Sequence, residues 1–323
     1  MRVAALSMIA WAGLFTGSVS GSIGLVSSFD PPEGGSINSI AFDHTADEVY
    51  VHFNFSPVYH IYDRNGAFLR TLPIAPATGN DDDIDFLTAP AVINGVAVPA
   101  GTLLSFANEF DPPRLDAIDK SNGQILATAL FDGNAIGQWV GGAEAAGLGG
   151  FVAVDWSRDY FQVLDADSGA IVEEHRVWPS GSPEFDIYYG DVDVLNADGN
   201  LYFVSSSQDR IRAMSPDGEW GGDFELAPLG VSGMAGIAFD DGRGEAWIGS
   251  QNGTVYLLNG FPPPGCVIAD LAPPLNILDL DDVVGFANAF TGGQAVADLA
   301  PPFGLLDLRD ITAFVAAFLA GCP

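Results

Sequence analysis

The chain reads as a mainly β protein: a five-bladed β-propeller followed by a small two-helix domain. Three observations predict this. One tight-turn chemistry recurs through the first 260 residues, as Asp63-Arg64-Asn65-Gly66, Asp119-Lys120-Ser121-Asn122-Gly123, Asp165-Ala166-Asp167-Ser168-Gly169, Ser215-Pro216-Asp217-Gly218 and Leu258-Asn259-Gly260. Asn, Asp and Gly supply the positive φ angles that hairpin turns need. The turn glycines lie 57, 46, 49 and 42 residues apart, and a period in the forties with four strands per unit marks propeller blades. Finally, residues 265–323 contain one loop-plus-helix pattern written twice.

Taken in order, residues 1–22 form a targeting segment. Arg2 supplies the positive start, Val3 to Phe15 an apolar run too short to span a membrane, and Ser18, Ser20 and Ser22 small cleavage positions. The mature chain then begins near Gly21 to Ile23 as a secreted protein, extracellular or at the cell surface. No membrane span is expected after signal cleavage. The formal net charge is −31, from 42 acidic against 11 basic residues, with Lys120 the single lysine. Such a polyanion repels nucleic acid and anionic membrane surfaces.

The propeller occupies residues 23–260. Its first unit reads Ile37 to Phe42, Val49 to Phe53, Val58 to Tyr62 and Phe68 to Leu72. The last reads Met234 to Phe239, Glu245 to Gly249 and Thr254 to Leu258, and lacks a fourth strand. Ile23 to Phe29 is a strand with no partner of its own. Pairing it into the last blade closes the ring and leaves no open edge. Five blades result, with six as the alternative count. Phe261-Pro262-Pro263-Pro264, residues 261–264, is a stiff linker. The phrases around Ser36 to Leu72 and Gly233 to Gly260 resemble NHL-like and YVTN-like propeller repeats, a resemblance that implies fold and not function.

Candidate chemistry in the propeller is sparse. His44, His52, His60 and His175 show no zinc-ligand spacing, and no Gly-x-Ser-x-Gly elbow is present. Acidic residues cluster on expected inner strands and adjoining loops: Asp81, Asp82, Asp83 and Asp85 in the second blade, Asp186, Asp191 and Asp193 in the fourth. Inner strands line the central channel, so Asp85 and Asp193 are a candidate pair for Ca²⁺ or Mg²⁺, with solvated loop charge as the alternative. Trp139, Trp156, Trp178 and Trp220 are candidates for stacking on sugars or, alternatively, for blade-to-blade packing.

In the tail, Ala269-Asp270-Leu271-Ala272-Pro273-Pro274 returns 28 residues later as Ala297-Asp298-Leu299-Ala300-Pro301-Pro302. Each copy ends in an apolar helical stripe: Val283, Phe286, Ala287 and Phe290, then Ile311, Phe314, Val315 and Phe318. The two stripes should pack on each other. Asp279 and Asp307 stand at N-cap positions with Asp282 and Asp310 three residues on, a capping box with Asp in place of Glu. Cys266 and Cys322 are the chain's two cysteines and flank the helix pair. A disulfide between them is expected to stabilise the unit by roughly 2–5 kcal/mol, and an oxidising compartment permits it.

This doubled motif between two Gly-Cys pairs resembles a dockerin, and more narrowly the GC-type dockerin-like module at the C-termini of secreted bacterial proteins. The resemblance covers residues 265–323. It implies Ca²⁺ held by loop carboxylates, with Asp270 and Asp298 at the first loop position, Asp279 and Asp307 at the ninth, and Asp282 and Asp310 at the twelfth. The chain departs from the pattern, because Ala-Pro-Pro replaces the acidic residues at the third to fifth positions and the loop is one residue too long. Helix capping therefore stands beside Ca²⁺ binding as the role of these aspartates. The resemblance also implies a cohesin-like or other surface-anchoring partner for residues 265–323.

Two functions follow. The leading one is a secreted propeller with a non-catalytic recognition or structural role, anchored at a surface or in a complex by its tail. The alternative is an extracellular metal-dependent hydrolase, acting on a polysaccharide- or lactone-type substrate, with its site in the acidic channel.

Overall fold

The structure is a computed structural model that describes residues 23–73, 83–107, 112–131, 138–145, 148, 150–261, 271, 280–297, 299 and 306–320. Five four-stranded antiparallel sheets form the blades. Their inner strands are Ile37–Asp43, Asp83–Phe86, Trp139–Ala145, Asp191–Val194 and Met234–Asp240, each facing its neighbours around the ring. Blade 1 continues outward through Glu48–Phe53, Val58–Asp63 and Phe68–Pro73, matching the expected boundaries to within a residue. Blade 5 consists of Met234–Asp240, Glu245–Ser250 and Val255–Asn259, and its outer strand is the N-terminal Gly24–Phe29. That strand pairs antiparallel with Val255–Asn259, from Gly24 opposite Asn259 to Phe29 opposite Val255, with a bulge between Leu25 and Ser27. The ring closes as expected from the sequence.

Side chains of the inner and second strands pack between blades. Ile40, Phe42 and Val51 of blade 1 meet Ala238, Trp247 and Leu257 of blade 5 in one apolar cluster. The turns between third and outer strands lock each blade to the one before. Gly66, Gly123, Gly169 and Gly218 have φ of 81°, 76°, 71° and 83°. A Cβ on each would run into the preceding blade: the Phe29 ring, the Pro73 carbonyl, the Leu130 carbonyl and the His175 ring. The recurring glycine is thus required twice over, for its backbone angle and for close approach. Gly123→Ala should cost about 3 kcal/mol, combining the left-handed penalty with a collision against backbone that cannot swing away. Gly95→Ala, with the same φ of 76° but nothing within 4 Å, is the control and should lose far less in a thermal melt.

Blade 2 carries an insertion that explains the 57-residue spacing of its turn glycine. A hairpin of Ala91–Ile93 and Val96–Val98 turns through Asn94 and Gly95, at φ 48° and 76°, the two positive angles a two-residue turn demands. Ile93 and Val98 are buried in the core between blades 2 and 3. The Gly95 amide donates to Asp167 Oδ1 at 2.7 Å, tying the insertion to the neighbouring blade's turn.

Two helices follow, α1 (Leu280–Thr291) and α2 (Leu308–Ala320). Phe286 and Phe314, equivalent in the two copies, stack with ring centroids 4.1 Å apart and planes at 9°. Phe290, Ile311 and Phe318 pack around them. The inward face of α1 differs in part from the expected stripe: Ala289 is buried, while Val283 and Ala287 are exposed. Val315 of α2 is likewise exposed. The reason lies at Asp282, which is fully buried and turns the face toward 282, 286, 289 and 290.

Candidate functional site: the acid-lined channel

An inner strand has one edge paired within its blade, while its other edge looks into the channel with amides that need acceptors. In blades 2 and 4 an Asp-x-Asp pattern meets that need. Side chains two apart in a strand point the same way, so Asp83 and Asp85 both reach blade 3, and Asp191 and Asp193 both reach blade 5. Asp83 Oδ2 accepts from the Gly142 amide at 2.6 Å, and Asp85 Oδ2 from the Glu144 amide at 2.7 Å. Asp191 Oδ2 accepts from Ile237 at 2.8 Å, and Asp193 Oδ2 from Phe239 at 2.7 Å. At two other junctions a glycine on one inner strand lets the next blade approach closely. A Cβ on Gly141 would strike Asp191, and one on Gly236 would strike the backbone of Ile40.

Burial and mutual repulsion work against ionising all four carboxyls at once. Burial pushes Asp85 up to about 8, opposed by its amide donors and helped by the charges of Glu144 and Asp191. Burial likewise raises Asp191 to about 7. Asp83 is held well above the usual carboxylate range by burial and then by Asp191, and Asp193 by burial and then by Asp85. Asp83 Oδ1 is buried without a donor facing it. Asp83 and Asp191 are in contact, and a proton shared between them makes that contact a hydrogen bond.

At the end of the channel where the inner strands finish, Asp85, Asp193 and Glu144 line a cavity of about 10 Å³, with Thr88, His44 and Asp241 at its rim. That is room for one water-sized group. Glu144 turns back to blade 2, accepting from the Thr88 hydroxyl at 2.6 Å. A wider cavity of about 250 Å³ adjoins it between blades 1 and 2, walled by Phe86, Leu87 and Ala100.

The structure therefore brings Asp85 and Asp193 to one cavity. Among the described residues, no three carboxylate, imidazole or thiol groups converge in a metal-holding arrangement. Asp186 lies apart, exposed in the loop before the blade 4 strand, and Asp81 and Asp82 fall outside the described residues. Glu144 was missed from the sequence; the Gly141-Gly142-Ala143 run before it, small residues on an inner strand, was the available signal of close blade approach. His52 Nε2 lies 3.1 Å from the Ser56 carbonyl, His60 pairs with Glu33 at 3.3 Å, and His175 stacks on Phe161. Trp139 is buried and donates to Gln162 at 2.9 Å, Trp220 donates to Asp223 at 3.2 Å, and Trp178 packs on the core between blades 3 and 4. Trp156 stands in a partly exposed aromatic group with Tyr188 and Tyr189.

In the tail, Asp282 Oδ1 accepts from the Leu271 amide at 2.7 Å, and Asp310 Oδ1 from Leu299 at 2.8 Å, the same bond in both copies. Asp310 Oδ2 also accepts from the Asp307 amide at 2.7 Å, while Asp307 Oδ1 accepts from the Arg309 amide at 2.7 Å. The second copy thus has one half of a capping box, from Asp310 back to Asp307, while the Asp307 side chain caps the Arg309 amide instead of that of Asp310. The Arg309 side chain on Asp307 holds that carboxyl below its ordinary range. Asp270, Asp279, Asp298, Cys266 and Cys322 lie outside the described residues. Asp310→Ala would strand two amides, at roughly 1–3 kcal/mol each, so loss of helical circular dichroism from the tail on mild heating is the expected outcome.

The fold is shared with solved structures at low identity. Glutaminyl cyclase of Myxococcus xanthus superposes with a TM-score of 0.53 at 13% identity, over 74% of this chain and 96% of that one. A luciferin-regenerating enzyme gives 0.48 at 12% identity, over 72% and 95%. At such identities the likeness is one of fold. No known family's sequence profile matches the chain, and no curated protein sequence matches it either.

Proposed function

We propose that this chain is a secreted recognition propeller, held at a surface or in an assembly through its dockerin-like residues 265–323, and that its channel carboxylates serve the ring rather than a reaction. The observation that carries this is the wiring of the channel. Each of Asp83, Asp85, Asp191 and Asp193 gives an oxygen to an amide of the next blade. Groups so engaged fix blade geometry, and their raised proton affinity relieves the charge that burial would otherwise trap.

A second role has one observation in its favour: Asp85 and Asp193 border the same small cavity, as a metal-dependent hydrolase would require. One experiment separates the two. Asp85→Asn with Asp193→Asn keeps an acceptor for the Glu144 and Phe239 amides. A ring-holding role predicts that millimolar Ca²⁺ or Mg²⁺ leaves the melting temperature of the wild type unmoved at pH 7, in a buffer of constant ionic strength. A metal site predicts a rise in the wild type, by mass action, that the double variant abolishes.

A further inference from the structure

We infer that the end of the ring where the inner strands begin carries a stacking platform for a neutral oligosaccharide, built from Trp156, Tyr188 and Tyr189 over blades 3 and 4. This rests on the recognition role proposed above and gives it a ligand class. Trp156 opens the turn after Gly150–Asp155, and Tyr188 and Tyr189 lead into Asp191–Val194, so topology places all three at that end. Trp156 lies 5.6 Å from Tyr188 and 5.9 Å from Tyr189, ring to ring, and the tyrosines are 4.7 Å apart. Their backbones are pinned from below. The Trp156 amide donates to the Gln138 carbonyl at 3.1 Å, and the Tyr188 amide to Ser205 Oγ at 2.9 Å.

Backbone strain marks the site independently. Five non-glycine residues among those described have positive φ: Asp47, Phe55, Asn94, Asp159 and Tyr189. Asp and Asn enter that region readily, whereas bulky aromatics do not. Tyr189 at φ 41° and Phe55 at φ 62° are the anomalies, and Phe55, in the turn after Glu48–Phe53, lies at the same end of the ring. A glycine would make the Tyr189 turn without strain, so the turn itself does not explain the ring. Strain kept at Tyr189, a half-buried ring beside the exposed Tyr188, points to a use for this aromatic group.

The polar tips say what that use is. Several buried aromatics here find partners, as Trp139 does on Gln162, Tyr62 on Glu33 and Tyr202 on Asp198, although the indole nitrogen of buried Trp247 does not. Trp156 Nε1 and the hydroxyls of Tyr188 and Tyr189 bond no described residue and are not sealed from solvent. Two residues before Tyr188, the exposed Asp186 offers a carboxylate whose one neighbour among the described hydroxyls is Ser207 Oγ, at 3.5 Å. The surface thus combines flat apolar faces with both donors and acceptors. A pyranose ring matches it, with C–H faces to stack and hydroxyls that both give and accept hydrogen bonds. A proline-rich peptide would bring carbonyl acceptors alone and leave Asp186 unanswered. A net charge of −31 disfavours anionic polymers.

The test uses the full chain from residue 23 and four probes: neutral linear hexasaccharides of glucose, xylose and mannose, and a decaproline peptide. Calorimetry should show binding of at least one hexasaccharide. Trp156→Ala should weaken it tenfold or more. Tyr189→Gly should weaken it comparably while raising the melting temperature, which a merely structural ring would not do. Absence of hexasaccharide binding, binding of decaproline alone, affinity unchanged in both variants, or a lower melting temperature in Tyr189→Gly would each overturn the platform and leave the recognition role standing. New reducing ends appearing during titration, with binding still lost in the variants, would support the platform and overturn the non-catalytic role.

Discussion

A chain that begins at residue 30 should melt far below one that begins at residue 23. Gly24–Phe29 contributes the whole outer edge of blade 5, and its loss uncovers the ladder groups of Val255–Asn259. Phe29 also fills the space beneath the Gly66 turn, 5.3 Å from the Tyr62 ring. Burying a phenylalanine is worth roughly 1.5–3 kcal/mol, and each ladder hydrogen bond about 1 kcal/mol net. Together the strand is worth roughly 5 kcal/mol or more, which for a domain of this size lowers the melting temperature by about 10–20 °C. Calorimetry of the two chains decides the matter. Superimposed melting curves would mean that the ring holds without its closing strand.

The second large effect is a dependence of stability on pH that runs opposite to the ordinary carboxylate case. Asp85 and Asp191 titrate near 8 and 7 in the folded protein and near the ordinary aspartate value when unfolded. Between those limits the folded state holds more protons, so stability falls as pH rises. Their favourable contribution is complete below about pH 4 and lost by the time pH passes their folded values. A tenfold difference in proton affinity between folded and unfolded chain is worth about 1.4 kcal/mol, and self-repulsion of a −31 chain acts in the same direction. Asp43, which Lys120 and Thr45 hold below its ordinary range against the effect of burial, opposes the trend only at acid pH. Melting temperatures should therefore drop by on the order of 10 °C between pH 5 and 8.5. Asp85→Asn with Asp191→Asn should flatten that slope and leave the variant more stable than wild type at pH 8.5. A wild-type profile flat across this range would show that the channel acids are ionised throughout.

The blades were legible because strand and turn chemistry is local. Asp63, Asp119 and Asp165 each fold an oxygen back onto amides of their own turn, and such short-range bonds leave a mark in the sequence. Ring closure could be inferred because one strand lacked a partner at each end of the propeller. The insertion at Ala91–Ile93 and Val96–Val98 was hidden by its brevity, although Asn94-Gly95 is a strong turn signal. The gathering of Asp85 with Asp193 followed from their places on inner strands. That their oxygens go to amides of blades 3 and 5 could not be read, since it depends on how closely blades approach. Tyr189 was invisible for a related reason: nothing in Tyr-Tyr-Gly announces a left-handed tyrosine.

Anchoring is tested most directly by measuring where the protein goes with and without its tail. The full-length chain and a chain ending at residue 264 would be expressed side by side in a native host, and each quantified on washed cells and in the medium. A recognition propeller addressed by residues 265–323 predicts full-length protein on the cells and the shortened chain in the medium. The same residues fused to an unrelated secreted protein should carry it to the cells. Equal retention of the shortened chain would contradict the proposed role of the tail.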